Sequence, residues 1–252
     1  MTGLQIESLI LPLLFVATRV GGVMMALPMF GLKTFPTRMR VVATVAFSVV
    51  ILCARPIPVI PDAWVGTLIV EFLIGSLMGL VVRLLVASVE FAGEIAGMQM
   101  GFGFQKVVNP MSQESNGPVG NLFFALAGVM FFVSEAHHEV LRAILASYYA
   151  WPVGSMAWGE NLIPFIIQGG AGLFWAGFRI AFPLIIIAFL TQLCFGVLTK
   201  VAPQLNVWSL GFACVILMCL IGFSLFLEPI MLEVLALYQQ SYRVLNELLL
   251  VL

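Results

Sequence analysis

The chain has 252 residues, 62% of them hydrophobic and only 9% charged, with a formal net charge of -1. A soluble globule needs more polar surface than this, so the composition and a mean hydropathy of +1.12 assign the chain to a membrane. The basic residues are scattered, which leaves no electrostatic footprint for nucleic acid.

Charges that interrupt apolar runs mark about six segments, each judged against the 20 or so residues that a spanning helix needs. The first runs from about Leu9 to Phe30 and contains Arg19; Glu7 and the lack of a basic stretch before it predict a retained helix and not a cleaved signal peptide. The second, about Val41 to Ala54, is short for a span and ends at the Pro-rich link from Arg55 to Pro61. The third, about Trp64 to Ala92, embeds Glu71 and Arg83, and its Gly75/Gly79 pair predicts close packing on one face. The fourth runs from about Val119 to Val133, with a continuation past Glu135, His137, His138 and Glu139 to Tyr149 left open.

The fifth run, about Leu162 to Leu198, exceeds a simple span, has Arg179 as its one charge and holds Pro183; it reads as one long broken helix or a hairpin. The sixth covers about Val207 to Leu227, and the tail beyond it reads as an amphipathic helix, with Leu232, Leu235, Val244, Leu245 and Leu248 set against Glu233, Gln239, Arg243 and Glu247. The fold class expected is therefore an all-α membrane protein of about six long apolar, partly broken helices in a single helical domain over residues 1–252. Lys33, Arg38, Arg40, Lys106 and Lys200 fall in loops that alternate to one side, the cytoplasmic side by the positive-inside rule, with both termini outside.

The stretch from Gly93 to Asn121 departs from this apolar pattern. Gly93, Gly97 and Gly101 recur every fourth residue, which predicts one helix stripe where another backbone approaches closely. Phe102, Phe104, Gln105, Lys106, Val107, Val108, Asn109, Pro110 and Met111 follow as a mixed apolar and polar loop. Together with Met98 and Met100 the loop suits either a gasket or ordinary core filling, because methionine seals irregular shapes. Arg19, Glu71, Arg83, Glu90, Glu94 and Arg179 lie within or beside apolar segments, where each charge is costly unless paired or wetted. They suit cross-subunit pairing or a channel lining in a large assembly; the alternative is the coupling network of an ion-coupled secondary transporter, for which internal repeats are missing.

No positive signal for an enzyme emerges. Glu135, His137, His138 and Glu139 match no zinc spacing, and with no other histidine in the chain they read as a polar helix junction, so no metal or cofactor is expected. Ser48, Ser76 and Ser88 lack a nearby base and no G-x-S-x-G occurs. Cys53, Cys194, Cys214 and Cys219 lie in apolar runs and read as small packing residues.

Several motifs, in order along the chain, resemble the FliR family of flagellar export-gate subunits and its homologues in virulence-associated type III secretion. They are the loop Phe35-Pro36-Thr37-Arg38-Met39-Arg40, the run from Gly93 to Phe102, Asn109-Pro110 with Pro118, and Ala202-Pro203-Gln204-Leu205-Asn206 with Gly211. Asn109 departs from the aspartate of the family loop, which weakens a charge-based role there. The resemblance implies a subunit of a FliP, FliQ and FliR core joined by FlhB, in the bacterial inner membrane at the flagellar basal body. It also implies passage of unfolded flagellar proteins, and a plug made in part by the loop from Phe104 to Gly117. By the same resemblance, about residues 1–150 form a FliP-like part, and about 160–252 a FliQ-like hairpin with the amphipathic tail.

Overall fold

The computed structural model describes residues 2–27, 36–54, 64–103, 117–155, 160–202 and 207–251. Among these residues the chain is all α-helical, without a strand: α1 (Thr2–Ala26), α2 (Thr37–Ala54), α3 (Trp64–Gln99), α4 (Pro118–Val133), α5 (Ala136–Ala150), α6 (Leu162–Val201), α7 (Val207–Gln239) and α8 (Ser241–Val251). Four helical stretches in the described residues are long and apolar enough to cross a membrane, or up to five if α4 and α5 count as one broken span. The protein is an all-α membrane protein. The second apolar run is longer than its sequence suggests, because the helix begins at Thr37 and reaches the length of a candidate span.

Where the sequence left alternatives, the backbone takes one. The fifth run is a single helix, α6, that carries Pro183 inside it. A membrane helix tolerates proline when the freed carbonyl is satisfied nearby. The fourth run breaks at Ser134, and Glu135 adopts a left-handed conformation with φ 56° before α5 starts. The sixth run continues through Pro229 to Gln239, so the expected tail helix is shortened to α8. Leu245 and Leu248 are buried on α8, whereas Leu232 is 59% exposed on α7. Cys219 alone among the cysteines is buried; Cys214 is half-buried, and Cys53 and Cys194 are exposed.

The chain forms two compact units: residues 1–85, 135–169 and 239–252 make one, and residues 86–134 and 170–238 the other. In the first, α1 and the front of α3 run parallel and meet through glycine. A Cβ on Gly22 would lie 2.7 Å from the Phe72 carbonyl oxygen, and one on Gly79 would lie 2.8 Å from that of Val23. Gly75 faces the backbone of Arg19 so closely that no side chain fits. The predicted Gly75/Gly79 pair is thus a backbone-to-backbone seam, the packing that small residues allow when lipid supplies no hydrophobic drive. In this unit α8 also packs on α5, and the Trp151 indole N–H donates to the Leu249 carbonyl at 2.9 Å.

In the second unit α6 and α7 are antiparallel neighbours. Ile187 occupies the space beside Gly222, and the Cys219 thiol faces the Leu184 carbonyl. The back of α3 runs alongside α6, with Phe91 edge-on to Phe174 and Phe178 at 5.1 and 5.8 Å. Tyr238, at the end of α7, donates to the Ala127 carbonyl of α4 at 2.9 Å.

Candidate functional site

The two ends of the expected loop are held by different chemistry in the second unit. At its start, α3 ends in a Schellman turn: Gly101 has φ 91°, its N–H donates to Met98 O, and Phe102 N–H donates to Gly97 O, each at 3.0 Å. Only glycine takes this backbone conformation without strain. Gly101 therefore lies past the helix end and does not continue the stripe; the ring of Phe212 fills the space where its Cβ would stand. Gly93 and Gly97 have Val119 and Phe123 of α4 against them; a Cβ on Gly93 would lie 2.9 Å from the Val119 carbonyl oxygen.

At the far end of the loop, Glu94 accepts a hydrogen bond of 2.6 Å from the N–H of Gly117, the residue that precedes α4. The first turn of a helix carries unpaired N–H groups and a partial positive charge, so a carboxylate there is favoured. Gly120 leaves the room for it, since a Cβ at that position would lie 3.0 Å from the Glu94 carboxyl carbon. Pro118 sits at the start of α4, where a missing N–H costs nothing. Beside the Schellman turn lies a cavity of about 610 Å³ lined by Met100, Gly101, Gln192, Phe195, Gly211 and Phe212. Gln192 also donates to the Gln99 carbonyl at 2.9 Å, which ties α6 to the last turn of α3. Of the loop itself, Phe102 is half-buried; Phe104, Gln105, Lys106, Val107, Val108, Asn109, Pro110 and Met111 lie outside the described residues.

The remaining embedded charges separate into distinct settings. In the first unit, the fully buried Arg19 binds the fully buried Glu71 through two parallel hydrogen bonds, from Nε to Oε2 at 2.6 Å and from a terminal nitrogen to Oε1 at 3.1 Å. The guanidinium also donates to the Ser147 hydroxyl and the Trp151 carbonyl, each at 3.0 Å, and its carbon lies 4.0 Å over the Tyr148 ring. Glu71 gains a further donor from the Gly154 N–H at 3.3 Å. In the second unit Arg179 binds Glu233 at 3.0 Å, with side chains 65% and 28% exposed. Arg83 is exposed, and Glu90 is half-buried.

Sequence reasoning did not find Ser147, Tyr148, Trp151, Gly154 or Glu233 as partners. Ser147 and Trp151 are one turn apart on and just after α5, but nothing local says that an arginine 128 residues earlier seeks them. Glu233 sits in a stretch that reads as a surface helix face. The Glu135 and His138 pair is exposed, 3.7 Å apart, and no group of three metal-ligating side chains occurs among the described residues.

A family model described as bacterial export proteins, family 1, matches residues 10–241. The chain belongs to this family. Its relatives include flagellar biosynthetic protein FliR of Aquifex aeolicus (strain VF5), 29% identical over 215 residues and 81% of each chain. The FliR of Escherichia coli (strain K12) is 26% identical over 197 residues, covering 77% of this chain and 76% of the relative. Yop proteins translocation protein T of Yersinia pestis is 29% identical over 143 residues, covering 56% of this chain and 55% of the relative. The resemblance drawn from the motifs is thus correct: this is a FliR-like, membrane-embedded member of the type III export family.

Proposed function

We propose that the chain is a non-enzymatic subunit of the flagellar type III protein-export gate in the bacterial inner membrane, at the basal body, and that residues 102–117 help to plug the closed channel. The observation that carries the plug is the clamp at both ends of this segment: the Schellman turn at Gly101 before it, and the Glu94 to Gly117 hydrogen bond after it. Helix ends fixed on both sides let the segment that joins them block a pore at rest and move aside without unravelling the helices. Unfolded flagellar rod, hook and filament proteins pass when it is displaced.

FliP and FliQ subunits build the channel with this chain, and FlhB joins them. Large apolar side chains exposed along the helices support such partners, Trp175 at 74% and Val133 at 67% among them. Residues of about 1–150 act as a FliP-like part and about 160–252 as a FliQ-like hairpin, a reading supported by the antiparallel α6 and α7. Gly93, Gly97 and Gly101 set the stem, and the embedded charges join helices. A transporter network of Glu71, Arg83, Glu90 and Arg179 has less support, because Glu71 is saturated by Arg19 and Gly154.

Native mass spectrometry of the complex released gently from its own membrane tests the gate. A mass well above 27.5 kDa, with one copy of this chain among FliP- and FliQ-sized chains, is the expected result. A lone chain or a homo-oligomer would overturn it. Deletion of residues 104–116 should then let small ions leak through the resting channel, and an unchanged closed conductance would sink the plug.

A further inference from the structure

Arg179 is the one charged residue in α6 before Lys200 in its last turn, in a helix whose other polar side chains are few, Gln168 and Gln192 the largest. It is residue 18 of that helix, so at 1.5 Å per residue it stands about 25 Å from one end and about 33 Å from the other. Glu233 takes the Nε of the guanidinium, yet 65% of the side chain remains exposed. Pro183, one turn on, has no N–H to give to the carbonyl of Arg179, so the backbone at this level is short of a partner too. A guanidinium half-satisfied on the exposed face of so apolar a helix calls for a further acceptor.

The side chains around it show what brings that acceptor. Trp175, Arg179, Phe182, Ile186, Phe189 and Leu193 are spaced by alternating steps of four and three, the a/d pattern of a coiled-coil seam. All are exposed: Trp175 by 74%, Phe182 by 59%, Ile186 by 41%, Phe189 by 58% and Leu193 by 51%. Gly172 and Gly196 prolong the pattern, and the space beside both is open, so a second helix can come close at either end. A water-filled pore would wet this ridge poorly, since aromatic rings flank the charge one turn away on each side. A second copy of this chain also fails: the seam has no carboxylate, and two copies set side by side in register would bring Arg179 against Arg179.

We infer that this face of α6 is a heptad docking seam for an apolar membrane helix of a different chain, one that carries a single carboxylate at the level of Arg179. A lone polar residue at an a position fixes register at some loss of stability, and Arg179 with the incoming carboxylate does so here. Glu233 holds the guanidinium ready, so the incoming acid meets an arginine already oriented. This inference rests on the gate reading above, because it needs a neighbouring subunit, and it names what that subunit must bring.

Photo-crosslinking in intact cells tests it, with a benzophenone amino acid placed at Trp175 or Phe182 of the full chain. The two adducts, mapped by peptide mass spectrometry, are expected on one helix of one other protein, seven residues apart, with an Asp or Glu within a turn of the point opposite Arg179. Arg179→Glu should lower both adduct yields at least tenfold while the amount of chain in the membrane holds. Arg179→Lys should keep most of the yield, and changing the mapped carboxylate to Lys should restore that of Arg179→Glu. Adducts confined to lipid, to this chain itself, or to scattered positions would overturn the seam. So would an Arg179→Glu yield equal to that of the unchanged chain. If the seam fails while the chain still purifies among other subunits, the gate stands without it; a chain that purifies alone overturns both.

Discussion

Arg19 and Arg179 both lie in long apolar helices and both bind a glutamate, yet one side chain is 0% exposed and the other 65%. Arg19 is closed on every side: two bonds to Glu71, one each to Ser147 and Trp151, and the Tyr148 ring beneath. Glycine makes this enclosure possible, since Gly75 lets the two helices touch where the pair forms. Arg179 has one bond and an open flank. The same pair of residue types thus serves two ends in an apolar chain. Buried and saturated, it joins two helices; exposed and unsaturated, it leaves one flank of the guanidinium open.

The strongest way to break the contrast is Glu71→Ala, which strands a buried guanidinium. A loss of about 3–5 kcal/mol is expected, seen as a collapse of folded protein when purified chain is melted in detergent. Removing both charges together, as Arg19→Met with Glu71→Leu, should recover much of that loss, because buried ion pairs are often replaceable by apolar groups. If the double variant is as unstable as Glu71→Ala, the pair is more than a lock between helices. Gly101→Ala should cost about 1–3 kcal/mol, since a left-handed backbone becomes strained and the Phe212 ring has to shift. Thermal melting of the purified variant measures it, and a neutral result would contradict the Schellman turn. Glu94→Gln keeps the shape and loses the charge at the start of α4, an effect of about 1 kcal/mol. On the proposed plug, its sharper readout is ion leak at rest, which should rise. At the small end, Arg179→Ala should change the melting of the isolated chain by less than about 1 kcal/mol, as exposed ion pairs do. A large loss there would put Arg179 in the same class as Arg19.

These contrasts mark what could be read from the amino acids. Gly75 and Gly79 were legible because four-residue spacing of small side chains is local and has one common use in membranes. Membrane class and helical fold were legible from composition alone. Which charge meets which was not: Arg19 finds Glu71, Ser147 and Trp151 through tertiary packing, and no periodicity points that way. Gly101 was assigned to the stripe of Gly93 and Gly97 because spacing cannot distinguish a packing glycine from the one that ends a helix with positive φ. Glu233 was hidden for a related reason, since α7 runs through Pro229 and takes in residues that read as a separate amphipathic tail. The two compact units draw on segments far apart in the chain, and a uniform apolar composition gives no boundary to find. Exposed Cys53 and Cys194 teach the same lesson, because an apolar run does not say which of its faces is covered within the chain.

The Arg19 and Glu71 pair also has a consequence for biosynthesis. The two residues are 52 positions apart, so Arg19 leaves the ribosome well before its partner. A lone arginine in α1 is a poor candidate for release into lipid, as is a lone glutamate in α3. Joined, they present no net charge, and the glycine seam lets them join at once. The first and third helices are therefore expected to leave the insertion machinery together as a neutral couple, with α1 held back until α3 has emerged.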